Sequence, residues 1–318
     1  MNTKTKQNIN VGVDTGKYQL DIFIRPLGTY FTVTNDEKGI NEAVKEIKKH
    51  KPKRIVIEAT GRLEMPFILA CAKANLPFTI ANPIHVKRFA GAIGQRAKTD
   101  KLDAELIAHF GEAIEPPLST LKPDTMQLMS DLVTRRNQLL TMQTMEKNRL
   151  QIMPKELAMT IKPVLTLFKN QINKIEDKIV KVIESCPKYQ AKNMILQSMT
   201  GIGKIAAASI ISNLPELGYI SSKQTSALVG VAPMNRESGR YKGKRKIQGG
   251  RPQVRTVLYM AMMSAMQSNP IFKATYQRLV AAGKSKKVAI IACVRKMIVI
   301  LNSMLRDGVM WEAPVAKK

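Results

Sequence analysis

The 318-residue chain predicts a mixed α/β sheet flanked by helices, then a long helical hairpin or coiled coil, then a mainly helical C-terminal part. Three observations carry that prediction. The first hundred residues open with three short runs rich in β-branched and aromatic residues, then alternate helix-like with strand-like segments. An apolar repeat of seven residues runs through 165–186. Residues 188–318 hold 22 Lys+Arg against 4 Asp+Glu, compared with 18 against 11 in residues 1–110 and 11 against 9 in 111–187.

Residues 9–16 (INVGVDTG), 18–25 (YQLDIFIR) and 29–34 (TYFTVT) read as strands joined by tight turns. NDEKGINEAVKEIKKH has helical periodicity, RIVIEA is a buried strand, LEMPFILACAKA a helix and PFTIAN a further strand, with helical segments to about residue 112. A three-strand meander followed by alternation suggests a mixed sheet with helices on it. EPPLSTLKPD is a proline-rich break, and 125–187 reads as helical throughout. Leu165, Ile172, Ile179 and Cys186 repeat every seven residues, as do Phe168, Ile175 and Val182, and Met153–Pro154 marks a turn. Such a seam suits a hairpin within one chain and a coiled-coil dimer equally well. The expected domains are 1–115, 116–187 and 188–318.

Composition narrows the function. Three separated cysteines, Cys71, Cys186 and Cys293, form neither a disulfide framework nor a zinc ribbon. With three histidines, a histidine-centred triad or zinc site is not expected, so a metal here should be oxygen-liganded, Mg²⁺ or Mn²⁺. No signal peptide and no membrane span is expected, and a bacterial cytoplasm fits. The formal charge of +27, of which +18 falls in residues 188–318, points to nucleic acid as partner rather than to a membrane.

Four acids stand where chemistry could use them. Asp14 ends the first strand and Glu58 the strand RIVIE; Asp100 and Asp103 lie three apart at the start of a later helix. Each has a plainer reading, in a turn or as a helix cap. Asp21, Asp36, Glu42 and Glu64 fit no strand-end position and are read as solvated. In an RNase H-like sheet the first and fourth strands are neighbours, so Asp14 and Glu58 would meet, and a following helix could add Asp100 and Asp103. Carboxylates so clustered would not all stay ionised without a cation between them. Two Mg²⁺ ions would relieve the repulsion and serve phosphodiester chemistry.

In the last third, MTGIGK opens a helix with Gly201 and Gly203, as in helix-hairpin-helix phosphate binders, although a turn between packed helices needs the same glycines. Residues 235–255 hold eight basic side chains against one acid: Arg236, Arg240, Lys242, Lys244, Arg245, Lys246, Arg251 and Arg255 are candidate nucleic-acid contacts.

The order Asp14, Glu58, Asp100-x-x-Asp103, helical spacer, then GVAPMNRESG…GGRPQVRTVLYMA resembles the DEDD transposases of bacterial insertion sequences, the insertion-sequence one-ten family that includes the pilin-gene invertases. KTDKLDAELIA and the pattern of residues 230–239 are its most specific parts. The resemblance implies a RuvC-like nuclease domain with Asp14, Glu58, Asp100 and Asp103 on metal. It also implies a C-terminal transposase domain with Ser238 as nucleophile. It implies recombination of donor and target double-stranded DNA directed by a structured, element-encoded bridge RNA. The serine would conserve phosphodiester energy in a covalent protein–DNA bond, so strands could be rejoined without ATP. Acids and serine on separate domains suggest a composite site between protomers, hence a homo-oligomer, dimer or tetramer. The alternative is a hydrolytic RuvC-like endonuclease that needs the acids but not Ser238.

Overall fold

A computed structural model describes residues 8–312, apart from Arg96, Lys98, Arg236, Arg240 and Lys244 and the side chains of Tyr241 and Lys242. Two compact units divide the chain after Leu121.

The first unit is a five-stranded sheet built from β1 (Asn10–Thr15), β2 (Gln19–Arg25), β3 (Thr29–Thr34), β4 (Arg54–Glu58) and β5 (Phe78–Ala81), in the order β3-β2-β1-β4-β5. The hairpins β1–β2 and β2–β3 are antiparallel; β4 joins β1 in parallel, and β5 joins β4 in parallel. All five expected strands are present.

Alternation decides what each face meets. Val11, Val13, Leu20, Ile22, Ile24, Ile55 and Ile57 point to one face. There they pack with Ile40, Ala43 and Ile47 of α1 (Glu37–Lys49) and with Phe67, Ile68 and Cys71 of α2 (Met65–Lys73). Val56 and Ala81 point to the other, where they meet Leu106, Ile107 and Phe110 of α4 (Asp100–Ile114), with α3 (Pro83–Ala92) alongside.

The proline-rich break is not a free tether. The Thr79 hydroxyl donates to the Pro117 carbonyl (3.1 Å), Ser119 N–H donates to Phe78 O (2.8 Å), and Ile80 N–H donates to Ser119 Oγ (3.0 Å). Residues 117–119 therefore cover the exposed edge of β5, and the first unit runs past residue 115.

In the second unit α5 (Asp124–Ile152) and α6 (Lys155–Glu184) form a hairpin about Met153–Pro154. Ile172, Ile179 and Ile183 are buried, Leu165, Phe168, Ile175 and Val182 half-buried, and Arg136 pairs with Glu176 at 2.6 Å. The heptad seam is thus largely satisfied within the chain. Cys186 lies beyond it, preceding α7 (Pro187–Ser198). A charge at Ile172 or Ile179 would unfold the hairpin before it could report on oligomerisation.

The hairpin's base does not stand apart. Met129, Val133, Ile179 and Ile183 share one core with α7, α8 (Lys204–Asn213), α9 (Ser222–Val229), α10 (Pro252–Ser268), α11 (Pro270–Ala281) and α12 (Lys286–Asp307). Contrary to the expectation that no segment could span a membrane, α12 is long and apolar enough by length and composition. Cys293, Val294, Met297, Ile298 and Leu301 nevertheless point into the core of the second unit, as in a central helix of a folded domain.

Candidate nuclease centre and basic hairpin

Parallel pairing runs from Asn10↔Arg54 to Val13↔Ile57, so the next residues, Asp14 and Glu58, stand side by side at the same end of the sheet, on strands about 4.8 Å apart. On the other side Asp14 is in register with Asp21 of β2. The helix that delivers the aspartates is seated by Gly12, two residues before Asp14 and on the same face. A Cβ at Gly12 would come within 2.2 Å of both Ala104 O and Ala108 N. Backbone-to-backbone contact therefore fixes α4 against β1, and its first turn lies over the end of that strand.

Thr99 caps α4 by accepting from Leu102 N–H at 3.3 Å. The cap position is thus taken, and Asp100 and Asp103 are left to other uses. Asp14, Glu58, Asp100 and Asp103 line a single cleft of ≈ 660 Å³, with Thr60, Lys87 and Gln95 on its walls. Burial pushes the Asp14 carboxyl above its ordinary range, and the negative charges of Asp103, Asp21 and Asp100 push it the same way against one backbone hydrogen bond. Such mutual repulsion is what a divalent cation would relieve, and an all-carboxylate set suits Mg²⁺ or Mn²⁺. Among the described residues, no three acid, histidine or cysteine side chains stand close enough to form a ready-made metal cage. Ligation would require side-chain rotation within the cleft.

Two acids expected to be solvated are buried. Asp21 is 3% exposed and accepts from Tyr30 Oη (2.7 Å), Thr32 Oγ1 (3.0 Å) and Gln19 Nε2 (2.9 Å), while the same amide reaches Asp100 at 3.5 Å. Glu64 is 6% exposed and holds a loop. Asp36 caps α1 and, like Glu42, is exposed. Asp21 was legible as a candidate: it alternates in phase with Phe23 on a strand that has few other polar residues.

Ser238 lies in a short hairpin. β6 (Pro233–Met234) pairs with β9 (Lys246–Ile247), and β7 (Glu237–Ser238) pairs with β8 (Tyr241–Lys242). Ser238 is exposed beside the turn at Gly239, whose φ is +54°. The segment is pinned at its base, where Gly230 and Gly250 cross so tightly that a Cβ on either would meet backbone at 2.2 or 2.3 Å. Arg245 and Lys246 are exposed, whereas Arg236, Arg240, Lys244 and the Lys242 side chain lie outside the described residues.

Three expected phosphate contacts prove to have structural duties. Arg251 grips Glu216 with two hydrogen bonds of 2.6 Å and donates to Asn213 O at 2.9 Å. Arg255 Nη1 donates to Gly249 O (2.7 Å) and Val229 O (3.2 Å), tying down the loop's base. Gly201, at φ +100°, has its Cα against α10, where a Cβ would fall 2.7 Å from that of Ala265. Its conformation answers to helix packing. Gly203 opens α8 with space around it.

Comparison with known proteins agrees with this layout. A DEDD-type transposase profile of the IS110 group matches residues 11–157, and that of the transposase IS116/IS110/IS902 family matches residues 193–277. The chain belongs to the IS110 family of transposases. The chain is 26% identical over 308 residues to the pilin gene-inverting proteins of Moraxella bovis and Moraxella lacunata, covering 94% of this chain and 96% of each relative. Over 151 residues it is 26% identical to an uncharacterised 43.6 kDa protein of insertion element IS110 from Streptomyces coelicolor, covering 47% of this chain and 36% of that one. It is therefore a DNA transposase or recombinase. All four acids fall inside the first matched segment, and Ser238 inside the second.

Proposed function

We propose that this transposase cuts and rejoins double-stranded DNA with an RNase H-like, RuvC-like carboxylate centre and a serine nucleophile. One observation carries the reading: Asp14, Glu58, Asp100 and Asp103, separated by up to 89 positions in sequence, line one cleft at the end of β1 and β4. The strand order β3-β2-β1-β4-β5, with antiparallel β1–β3 and parallel β4 and β5, supports the RNase H-like assignment.

In this reading the four carboxylates hold Mg²⁺ or Mn²⁺, which supplies charge neutralisation for phosphodiester exchange. Ser238 Oγ attacks phosphorus: a Ser–O–P bond forms, a bond from phosphorus to a deoxyribose oxygen breaks, and the serine proton is balanced by one taken up at the departing oxygen. The number of phosphate ester bonds is conserved, so a second sugar hydroxyl can reverse the step without ATP. Exposure of Ser238 in the same basic segment as the exposed Arg245 and Lys246 suits an approaching DNA backbone.

A structured guide RNA and assembly into a homo-oligomer belong to the same reading. The +18 charge of residues 188–318 supports the first; exposed apolar side chains near the hairpin turn, Ile152 at 80% and Met159 at 70%, support the second.

The deciding experiment traps the covalent intermediate. Wild-type protein incubated with Mg²⁺ and element-end DNA should give a denaturation-resistant protein–DNA adduct mapping to Ser238. Ser238→Ala should give none, and Asp14→Asn should reduce it by more than about 100-fold. Cleavage without an adduct in the wild type would favour hydrolysis by water. Sequencing the RNA that co-purifies should reveal one discrete species; a random population would remove the guide from the reading.

A further inference from the structure

One wall of the acidic cleft is α3, where Pro83, Val86, Lys87 and Ala90 fall at three- and four-residue spacing and so share a face. Asn82 caps this helix, accepting from Ile84 N–H at 3.0 Å. Val86 shares a core with Leu106, Ile107 and Phe110 of α4. Phe89 meets His109 and Phe110 edge-on, with ring centroids 5.1 and 5.7 Å apart. Gln95 Nε2 donates to Leu102 O at 3.2 Å, tying the chain beyond α3 to the first turn of α4. The helix α3 is therefore seated on the one that carries Asp100 and Asp103.

Lys87 holds an unusual place among these acids. It lines the cleft together with Asp14, Glu58, Asp100 and Asp103, and it is the one basic side chain there among the described residues. It is exposed, and among the described residues its ammonium meets no hydrogen-bond or ion-pair partner. Lys49 and Lys53 of the same unit behave differently, each pairing with a glutamate. A lysine beside four carboxylates that pairs with none of them keeps its charge for a ligand.

That ligand is an anion which the carboxylates alone would repel. Two divalent cations would cancel the four carboxylates, yet leave the negative charge of a bound phosphate. That charge grows as an attacking oxygen closes on phosphorus, so a cation held beside it favours the transition state over the ground state. An ammonium is suited to this as a compact point charge. We propose that Lys87 binds a non-bridging oxygen of the phosphate that reacts at the acidic cleft, which makes it a catalytic residue in addition to the four acids and Ser238. This rests on the cleft being the nuclease centre.

The test uses the full-length protein and a labelled element-end DNA duplex. Affinity is measured over a series of salt concentrations with Ca²⁺ in place of Mg²⁺, so that binding is read without turnover. Lys87→Gln should lower the slope of log Kd against log salt by about one, the value for one lost phosphate contact. With Mg²⁺ and saturating protein, the same variant should cleave about 100-fold more slowly at an unchanged melting temperature. Lys87→Arg should keep the slope and recover most of the rate. Arg88→Gln removes the neighbouring exposed charge, which does not line the cleft, and should cleave at the wild-type rate. A wild-type slope in Lys87→Gln overturns the contact; a wild-type cleavage rate overturns the catalytic role. An equal loss of cleavage in Arg88→Gln overturns that role too, because loss of charge anywhere on α3 would then suffice. Asp14→Asn, assayed beside them, should keep the slope and lose cleavage. If it cleaves normally, the nuclease reading fails on its own account, whatever Lys87→Gln does.

Discussion

The acidic cleft and the basic hairpin are built in opposite ways. Asp14 and Glu58 sit on neighbouring strands of a five-stranded sheet, and their companions come from a helix seated backbone-to-backbone on Gly12. Ser238 sits on a two-residue strand, exposed, with its segment pinned by the crossing of Gly230 and Gly250 and by Arg251 and Arg255. The backbone positions of the acids are thus a property of the folded unit, set before any substrate arrives, and only their side chains have to turn. The serine is presented on a short ladder, where pairing with nucleic acid can still adjust it. If the acids hold metal and Ser238 attacks DNA, as proposed above, the contrast suits the two tasks. Carboxylates that repel one another need a rigid frame, whereas an attacking hydroxyl must follow the strand it attacks.

Substitutions in the two regions should therefore divide between stability and chemistry. The largest effect on stability is expected at Gly12→Val, where a side chain must displace the α4 backbone. A loss of about 3 kcal/mol or more in denaturant unfolding, with cleavage lost too, is the expected outcome. Wild-type stability there would mean that α4 is not held as described. Arg251→Ala should cost about 1–2 kcal/mol, because its bidentate pair with Glu216 is only about one-third exposed and partly screened. Its effect on the salt dependence of DNA binding should be small, unlike that of Lys246→Ala, which should lower the slope by about one at unchanged melting temperature.

Asp14→Asn should raise stability when metal is chelated. Because the folded state holds the Asp14 proton more tightly than the unfolded chain does, Asp14 favours folding as pH falls from the raised value towards its ordinary 3.8. It opposes folding above that raised value. The melting-temperature gap between Asp14→Asn and wild type should therefore be positive at neutral pH in EDTA. It should shrink as the solution is acidified and shrink again when Mg²⁺ is added to the wild type. A gap that does not vary with pH would show that Asp14 carries no such strain. The smallest effect on stability is expected at Ser238→Ala, below about 0.5 kcal/mol, with recombination lost. A large destabilisation there would make the serine part of the fold and end the contrast.

Much of this organisation was readable from residue order alone. Short runs rich in β-branched and aromatic residues, bounded by turns, marked the strands, and the Asp-x-x-Asp spacing marked a helix start, because those signals are local. The heptad of 165–182 was equally local, but whether its partner is α5 or another chain is a matter of which surface is nearest, and it left both open. Burial of Asp21 and Glu64 was missed for a related reason. Their partners, the hydroxyls of Tyr30 and Thr32 and the N–H groups of Thr60 and Arg62, become partners only once the chain has turned back.

By itself the sequence determined the kinds of groups available: four acids in a fixed order, a serine within a basic, glycine-rich stretch, and a charge that calls for nucleic acid. Only the tertiary structure decided which groups meet. Strand pairing places Glu58 beside Asp14, and the missing Cβ of Gly12 lets α4 bring Asp100 and Asp103 to the same cleft. Packing also turned Arg251 and Arg255 inward, although nothing in composition separates them from Arg245 and Lys246. Charge is a property of the residue, but whether it faces a carboxylate of its own chain or a phosphate of another molecule depends on distances that exist only after folding.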